Sequence, residues 1–378
     1  MSSGNKVIDD FLRYTLSKKI SLKRMEFVPY NRFKDVELIA EGEFSKIYKT
    51  TWIDGPMSHF RNYFTVALKE LDDFKNIKPE ELRTMRRILY IRYNNNKIFN
   101  SYYGITQNPI TQNFVIIMNY YESGNLTCYI TNDFYNISWF NKLCKLVYIM
   151  TGLVKTHSSQ IIHESFHSGN IFFTDKSAII NDFGINKSSF DKNKIYGIIP
   201  YVAPEVFEGK CYNKASNIYS LGMIMWELMT GRRPFWDQSH DADLINKIID
   251  GFRPPITTNA PEGYIELMKE CWNSDPKIRP GSGEVSKRIF KICIKEYDNR
   301  TKITKSSDIG PVTIDNPGAI YQIRYLGDII EAATSSKNLK GGHIILEINK
   351  RKYEESGFDN VVEDNNDEVF NYGNIFIS

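Results

Sequence analysis

Residues 161–171 read IIHESFHSGNI, and residues 181–184 farther along the chain read NDFG. A third short stretch, APE, follows at residues 203–205. Each stretch is too short to be informative alone, and the specific signal is their order along one chain. Together they indicate a polar loop followed by an acidic residue, Asp182. Taken alone, Asp182 could be a turn or capping residue.

Two elements that could handle phosphate groups precede these stretches. Residues 39–47 read IAEGEFSKI between two strand-like runs, and Gly42 would let the backbone approach a phosphate. Residues 66–69 read VALK, so Lys69 would end a buried strand and reach the α- and β-phosphates of a nucleotide. The alternatives are an ordinary hairpin turn and a lysine at the edge of a strand.

The apolar pattern changes along the chain from the β type to the helical type. Residues 35–74 are rich in β-branched and aromatic residues with glycine at turn positions, which predicts strands. Apolar residues at helical spacing predict a short leading helix within residues 1–32 and a longer one over residues 79–93. A β-rich lobe therefore precedes an α-rich lobe, with the junction near residues 119–124. The remaining predicted elements are strands near 102–105 and 114–118 and helices over 139–158, 214–231 and 264–273.

In order and spacing, the quoted stretches resemble the signature of protein kinases, and residues 35–297 resemble a kinase domain of the tyrosine-kinase-like group, which mostly phosphorylates Ser and Thr. The resemblance implies an α+β, two-lobed kinase fold in which Glu205 pairs with Arg279. The expected organisation is an N-terminal extension (1–32), a kinase-like domain (33–297) and an acidic, mostly disordered tail (298–378). Within that tail, short ordered patches are expected near 319–330 or 343–348.

The resemblance also implies ATP and Mg²⁺ as cofactors, with a set of residues to hold them. Lys69 would hold the α- and β-phosphates, while Asp182 and Asn170 would each take a Mg²⁺ ion. Met118 would lie at the back of the adenine pocket, and Phe172, where leucine is usual, beneath the purine. The full expected nucleotide site comprises Ile39, Gly42, Ile47, Ala67, Lys69, Met118, Asn119, Tyr121, Phe172 and Asp182, with backbone groups of Asn119, Tyr120 and Tyr121 facing the purine.

The polar loop departs from the family pattern at the residue that matters most for phosphotransfer. The family has His-Arg-Asp where this chain has His163-Glu164-Ser165. In the family that aspartate accepts and orients the substrate hydroxyl, whereas the hydroxyl of Ser165 is neutral and a weak acceptor. Loss of a positioned acid–base group costs about 10²–10⁴ in rate.

Other departures surround the same site. Glu164 replaces an arginine that could pair with a phosphate, so a phosphate on Ser188, Ser189 or Tyr196 would be repelled. His167 replaces the family's loop lysine, and Asn217 replaces an aspartate that accepts backbone N–H groups. Two glycine positions of the first loop are Ala40 and Ser45, and the glutamate expected to pair with Lys69 falls near Met85 or Arg86, a turn after Glu80 and Glu81.

Three functions remain open from the sequence. The first is an ATP-binding pseudokinase that acts as a scaffold or allosteric partner of another protein. The second is an active serine/threonine kinase in which Glu164 or His167 replaces the missing base. The third is an interaction module that binds no nucleotide.

The bulk composition excludes several other classes. A formal net charge of +3 over 378 residues gives no basis for a nucleic-acid surface, so no nucleic-acid partner is expected. Five cysteines without a CxxC pair favour a reducing compartment. No apolar run approaches the roughly 18 residues of a membrane helix, and the first residues lack a signal-peptide pattern. We therefore expect a cytoplasmic protein with no membrane partner.

Overall fold

The computed structural model describes residues 2–17, 25–42, 45–56, 63–72, 74, 75, 77, 79, 82, 85, 86, 89, 100–174, 177–182, 194–312 and 316–340, all of them within one compact unit. The strands are β1 Glu26–Phe27, β2 Phe33–Glu41, β3 Ser45–Trp52, β4 Phe64–Leu71, β5 Tyr102–Gln107, β6 Phe114–Asn119, β7 Ile171–Thr174, β8 Ser177–Ile180, β9 Tyr196–Gly197 and β10 Arg324–Tyr325. The helices are α1 Lys6–Ser17, α2 Leu126–Asp133, α3 Trp139–Ser158, α4 Pro204–Phe207, α5 Lys214–Thr230, α6 Ala242–Ile249, α7 Tyr264–Cys271, α8 Ser282–Asp298 and α9 Gly327–Lys340.

The first lobe is built on one six-stranded sheet with the strand order β1-β5-β6-β4-β3-β2. Neighbouring strands are antiparallel except for β1, which runs parallel to β5. The sheet buries aromatic and β-branched side chains on one face, as their strand propensity predicts. Its core contains Trp52, Val66, Leu68, Tyr103 and Ile117.

Helix α1 packs against the first lobe through its apolar stripe. Asn5 caps its start, because the side-chain oxygen accepts hydrogen bonds from the backbone N–H groups of Val7 and Ile8. Ile8 and Phe11 on this helix are fully buried. The guanidinium of Arg86 lies over the ring of Phe11 at 5.8 Å, which joins α1 to the region predicted as the helix over 79–93.

The second lobe is organised around α5, which is buried along nearly its whole length. Asn213 and Ser216 form a capping box at its start, and Gly231 ends it with φ 75°, a conformation that favours glycine. Ser138 caps α3, which packs against α8. These contacts fix the positions of the helices that support the loop at residues 161–170.

The α+β, two-lobed architecture predicted from the sequence is confirmed. The predicted helices over 139–158, 214–231 and 264–273 correspond to α3, α5 and α7. Among the described residues, no helix is both long enough and apolar enough to cross a bilayer.

The described part of the segment after residue 298 contains regular structure, and β10 lies within the ordered patch expected near residues 319–330. Residues 299–312 and 316–340 contact the second lobe, and they include β10 and α9. Ile309 and Leu326 in this segment are buried. Residues 341–378, with the second expected patch at 343–348, lie outside the described residues. The boundaries at residues 32 and 297 stay predictions.

Candidate functional site

The buried side chain of Asn217, at the start of α5, holds the loop at residues 161–170 by hydrogen bonds. The Asn217 Oδ1 accepts a hydrogen bond from the backbone N–H of His163 at 3.0 Å, and its Nδ2 donates to the His163 carbonyl at 2.7 Å. The ring Nε2 of His163 lies 2.7 Å from the carbonyl oxygen of Asn181, which precedes Asp182. An amide at position 217 therefore holds the loop by donating as well as accepting.

Ser165 lies at the centre of this loop and is buried to 9% exposure. The side-chain Nδ2 of Asn170 donates to the Ser165 carbonyl at 3.0 Å and lies 3.4 Å from the Ser165 hydroxyl oxygen. The backbone N–H of Ser165 points to the Nδ1 of His163 at 3.3 Å. The structure thus places Ser165 beside Asn170, and the group at this position is a neutral hydroxyl.

Buried Lys69 and partly buried Asp182 form an ion pair between the lobes. Lys69 lies within the buried part of β4, which continues through Glu70 and Leu71, and its Nζ donates to the Oδ1 of Asp182. Burial lowers the pKa of Lys69, and the carboxylate of Asp182 opposes that shift. Asp182 has φ 67°, a left-handed conformation that is uncommon for a residue other than glycine. Such strain is frequent at functional sites.

His167 is buried within the same loop and stays neutral. Burial lowers its pKa to about 3, with Arg233 and His163 adding to the effect and Asp182 opposing it. Its Nε2 lies 3.0 Å from the Asn170 Nδ2, so the ring nitrogen accepts that bond. The other nitrogen, Nδ1, is buried without a hydrogen-bond partner among the described residues.

The adenine end of the predicted site is framed by β3, β4 and β6. Ala67 pairs with Met118 across β4 and β6, while Ile47 pairs with Lys69 across β3 and β4. Asn119 ends β6, with its Oδ1 accepting from the Tyr103 hydroxyl at 3.0 Å. Gly42 closes the β2–β3 turn through a bond from its N–H to the Ser45 carbonyl at 2.9 Å, and Ile39 in β2 is exposed.

The side chain of Tyr121 covers Phe172 at this end of the cleft. The two rings are stacked, with centroids 5.2 Å apart and planes inclined by 29°. The Tyr121 hydroxyl donates to the Oδ1 of Asn100 at 3.1 Å, and Asn100 in turn donates to the Oδ1 of Asn181. Tyr121 therefore extends from the residues after β6 toward the residue before Asp182. Nothing in the sequence pattern indicated the role of Asn100.

A second feature not foreseen from sequence joins the loop to α5. The Tyr201 hydroxyl donates to the Oε1 of Glu227 and lies 3.3 Å from the Ser168 hydroxyl, which accepts from Thr127 at 2.9 Å. Burial raises the pKa of Glu227 to about 7, while the charge of Arg233 opposes that shift. This buried network ties residues 199–201 to the loop.

Other predicted pairs have mixed outcomes. The pairing of Glu205 with Arg279 is confirmed by two hydrogen bonds of 2.7 Å between fully buried side chains. Glu80 and Glu81 lie outside the described residues, as do Phe183, Gly184 and the predicted phosphosites Ser188 and Ser189. Met85 is buried, and the Arg86 guanidinium lies over the rings of Phe11 and Tyr14.

The donor set at the phosphate end fits a nucleotide-bound Mg²⁺. Asp182 supplies a carboxylate, and Asn170 supplies an amide oxygen while its Nδ2 is engaged by the loop. Magnesium prefers oxygen ligands of this kind and retains water in its shell. The adenine end fits less well as it stands, because the Tyr121 ring lies on Phe172.

A β-rich lobe, an α-rich lobe and a lysine–aspartate pair beside a His–Asn loop define a protein of the kinase class. The family model described as protein tyrosine and serine/threonine kinase matches residues 33–289, and the chain belongs to that family.

Curated relatives of the chain are serine/threonine kinases. A putative serine/threonine-protein kinase/receptor of Acanthamoeba polyphaga mimivirus is 27% identical over 75% of this chain and 18% of its own length. A probable serine/threonine-protein kinase of Dictyostelium discoideum, roco8, is 30% identical over 47% of this chain and 10% of its own length. Mitogen-activated protein kinase kinase kinase 7 of Homo sapiens is 27% identical over 69% of this chain and 42% of its own length. The chain thus spans less than half the length of each of these relatives.

Proposed function

We propose that this chain is an ATP-binding pseudokinase, a signalling scaffold or allosteric partner of another protein in which phosphotransfer is weak or absent. The observation that supports this most directly is the neutral hydroxyl of Ser165, held beside Asn170 at the centre of the loop. The proposal places the protein in the tyrosine-kinase-like group and in the cytoplasm.

The chemistry of position 165 limits the reaction. A general base must accept a proton near neutral pH, and a serine hydroxyl has no basic form in that range. Removal of such a group costs about 10²–10⁴ in rate. That loss corresponds to roughly 3–5 kcal/mol of activation barrier.

Neither neighbouring side chain is well placed to replace the missing base. His167 uses its Nε2 to accept from Asn170, and burial lowers its pKa to about 3, so it is a poor proton acceptor. Glu164 is exposed, whereas Ser165 is buried, so the Glu164 carboxylate lies in different surroundings from the position of the family's aspartate. These placements weigh against an active kinase with a substitute base.

The groups for the nucleotide phosphates are retained. Lys69 would bind the α- and β-phosphates, and Asp182 and Asn170 would hold Mg²⁺. Bound Mg²⁺ would neutralise charge on the β- and γ-phosphates. The Lys69–Asp182 ion pair keeps both side chains at the cleft, where Asp182 compensates the buried lysine charge.

The proposal is tested by pairing a binding assay with a transfer assay. We expect ATP with Mg²⁺ to raise the melting temperature, a Lys69→Met variant to lose most of that rise, and radiolabel transfer to stay at background. Brisk transfer by the wild-type protein that disappears in Lys69→Met would refute it.

A second candidate function, an interaction module that binds no nucleotide, is supported by Tyr121. Its ring lies on Phe172, where the purine is expected, and its hydroxyl is bonded to Asn100. A purine would have to displace this ring before it could bind. Under this candidate, ATP leaves the melting temperature unchanged in the wild-type protein.

A further inference from the structure

The segment at residues 316–340, hereafter the strap, covers an edge of the second lobe beside the loop. Its strand β10 pairs antiparallel with β9, with Arg324 opposite Gly197 and Tyr325 opposite Tyr196. The Leu326 N–H adds a bond to the Ile195 carbonyl at 2.9 Å. The strap lies outside residues 33–289, which match the family model.

The edge that the strap covers adjoins the functional site. Residues after β9 reach the loop through Tyr201, whose ring lies 5.8 Å from that of His167 and whose hydroxyl lies 3.3 Å from that of Ser168. An extended segment that pairs with β9 therefore runs next to the loop that carries Ser165. Pairing with an exposed strand edge is a common way for proteins to bind extended peptides.

Side-chain pockets beside β9 hold the strap in one register. Leu326 is fully buried, and its Cδ1 lies within 3.6 Å of the position that a Cβ on Gly197 would take. Tyr321 donates its hydroxyl to the Pro234 carbonyl at 2.8 Å, and the Arg233 guanidinium lies 3.7 Å over its ring. Side-chain contacts of this kind supply sequence specificity to main-chain pairing.

Hydrogen bonds to main-chain carbonyl groups on both sides of these pockets continue the match. The His240 N–H donates to the Gly318 carbonyl at 2.8 Å, and its ring Nδ1 lies 2.8 Å from the Ile320 carbonyl. The guanidinium of Arg324 donates a hydrogen bond to the His240 carbonyl. Beyond β10, the Asn246 side chain of α6 donates to the Ala333 carbonyl of α9 at 3.1 Å.

The strap also faces the turn that would cover the phosphates. A cavity of about 590 Å³ is lined by Glu41 and Gly42 on one side and by Ile320, Gln322, Ile323 and Arg324 on the other. The Gln322 Nε2 lies 3.4 Å from the Glu41 carbonyl oxygen. The strap thus reaches from the second lobe to the β2–β3 turn of the first.

We propose that the β9 edge, with the pockets at Arg233, His240 and Gly197, is a binding groove for an extended peptide, and that the strap closes it as an internal ligand. The peptide that fits is one with the chemistry of the strap: an aromatic residue, then Arg-Tyr-Leu three residues later, in extended conformation. A protein partner that carries such a segment must displace the strap. This inference goes beyond the proposed pseudokinase function and does not depend on whether the cleft binds ATP.

The test uses the full chain and a labelled synthetic peptide with the sequence of residues 316–328. Leu326→Asp places a charge in the buried pocket and should release the strap. Ile278→Asp makes the same change at a side chain that is 60% exposed and serves as the matched control. We expect Leu326→Asp to bind the peptide at least about tenfold more tightly than wild type and Ile278→Asp. Hydrogen exchange should rise at residues 194–201 and 316–340 in Leu326→Asp alone.

Two outcomes would overturn the proposal. Released strap residues without peptide binding would show that the edge is not a peptide groove. Equal peptide binding by wild type, Ile278→Asp and Leu326→Asp would show that the strap does not close it. Should Leu326→Asp fail to fold, the double change Tyr321→Ala with Arg324→Ala is measured in the same way, and absence of peptide binding there counts against the proposal.

Discussion

The ring of Tyr121 is stacked on the ring of Phe172, with 5.2 Å between their centroids. This contact lies where the family resemblance predicts the purine, so the Tyr121 side chain occupies part of the predicted adenine site. The hydroxyl of Tyr121 secures the arrangement through Asn100. The balance between this internal contact and a bound nucleotide decides which of the proposed functions applies.

Replacement of Tyr121 by alanine should strengthen nucleotide binding. An aromatic pair contributes about 0.5–1.5 kcal/mol and a hydrogen bond a similar amount, and a purine would no longer have to displace either. We expect ATP affinity, measured by titration calorimetry, to rise about tenfold. Tyr120→Ala is the control, because the Tyr120 ring lies beneath the Lys49 ammonium at 4.9 Å instead. Equal affinities in wild type and Tyr121→Ala would contradict the prediction.

Ser165→Asp should raise phosphotransfer if the missing base is the main defect. A carboxylate at this position can accept a proton that the serine hydroxyl cannot, which is worth about 10²–10⁴ in rate. The change is measured as radiolabel transfer to a generic protein substrate. Ser165→Asn is the matched control, because asparagine has nearly the size of aspartate but no charge. Its rate of transfer should stay at the wild-type level. A similar gain in both variants would point to shape rather than to the base.

Arg279→Met should unfold the second lobe at much lower denaturant concentration. The guanidinium makes two hydrogen bonds to Glu205, and both side chains are essentially inaccessible to water. Loss of one partner of such a buried pair costs about 3–5 kcal/mol, because the other charge stays buried.

The control for that change is Arg288→Met. Arg288 pairs with Glu270 in a similar two-point geometry, but the two side chains are 31% and 42% exposed. Solvent screens such a pair, so its loss should cost only about 0–1 kcal/mol. Comparable losses in the free energy of unfolding for both variants would contradict the role assigned to burial.

Glu227 should make stability fall as pH rises from about 4.5 to about 7. Burial raises its pKa in the folded protein from 4.5 to about 7, so the folded state binds more protons than the unfolded state in this window. Stability from this group is therefore complete below pH 4.5 and is lost as pH rises through 7. Glu227→Gln removes the titration and should become more stable relative to wild type, by up to about 3 kcal/mol, between pH 4.5 and 8. Urea unfolding at several pH values measures the difference, and a pH-independent difference would contradict it.

Much of the architecture could be predicted from local patterns. The long apolar periodicity over residues 139–158 gives α3, and Asn213 with Ser216 marks the start of α5 through a capping box. The pairing of Glu205 with Arg279 was predicted from the family resemblance alone, and the structure shows that both side chains are buried.

The candidate site was predictable only in part. Lys69, Asp182, Asn170 and Ser165 were predicted as site residues from their motifs, and the structure brings Lys69 to Asp182 and Ser165 to Asn170. Asn100 carries no motif, and its contact with Tyr121 depends on the rotamer of a side chain 21 residues away. Such a contact arises from packing and not from local spacing.

For this protein, the sequence alone determined the family, the order of a β-rich lobe before an α-rich lobe, and the absence of a carboxylate at position 165, because motifs and hydrophobic periodicity are local properties. The tertiary structure decided that Tyr121 lies on Phe172 and that residues 316–340 pair with β9 beside the loop. Those contacts join residues far apart in the chain, and only the packing of the folded chain selects them among the many that its composition permits.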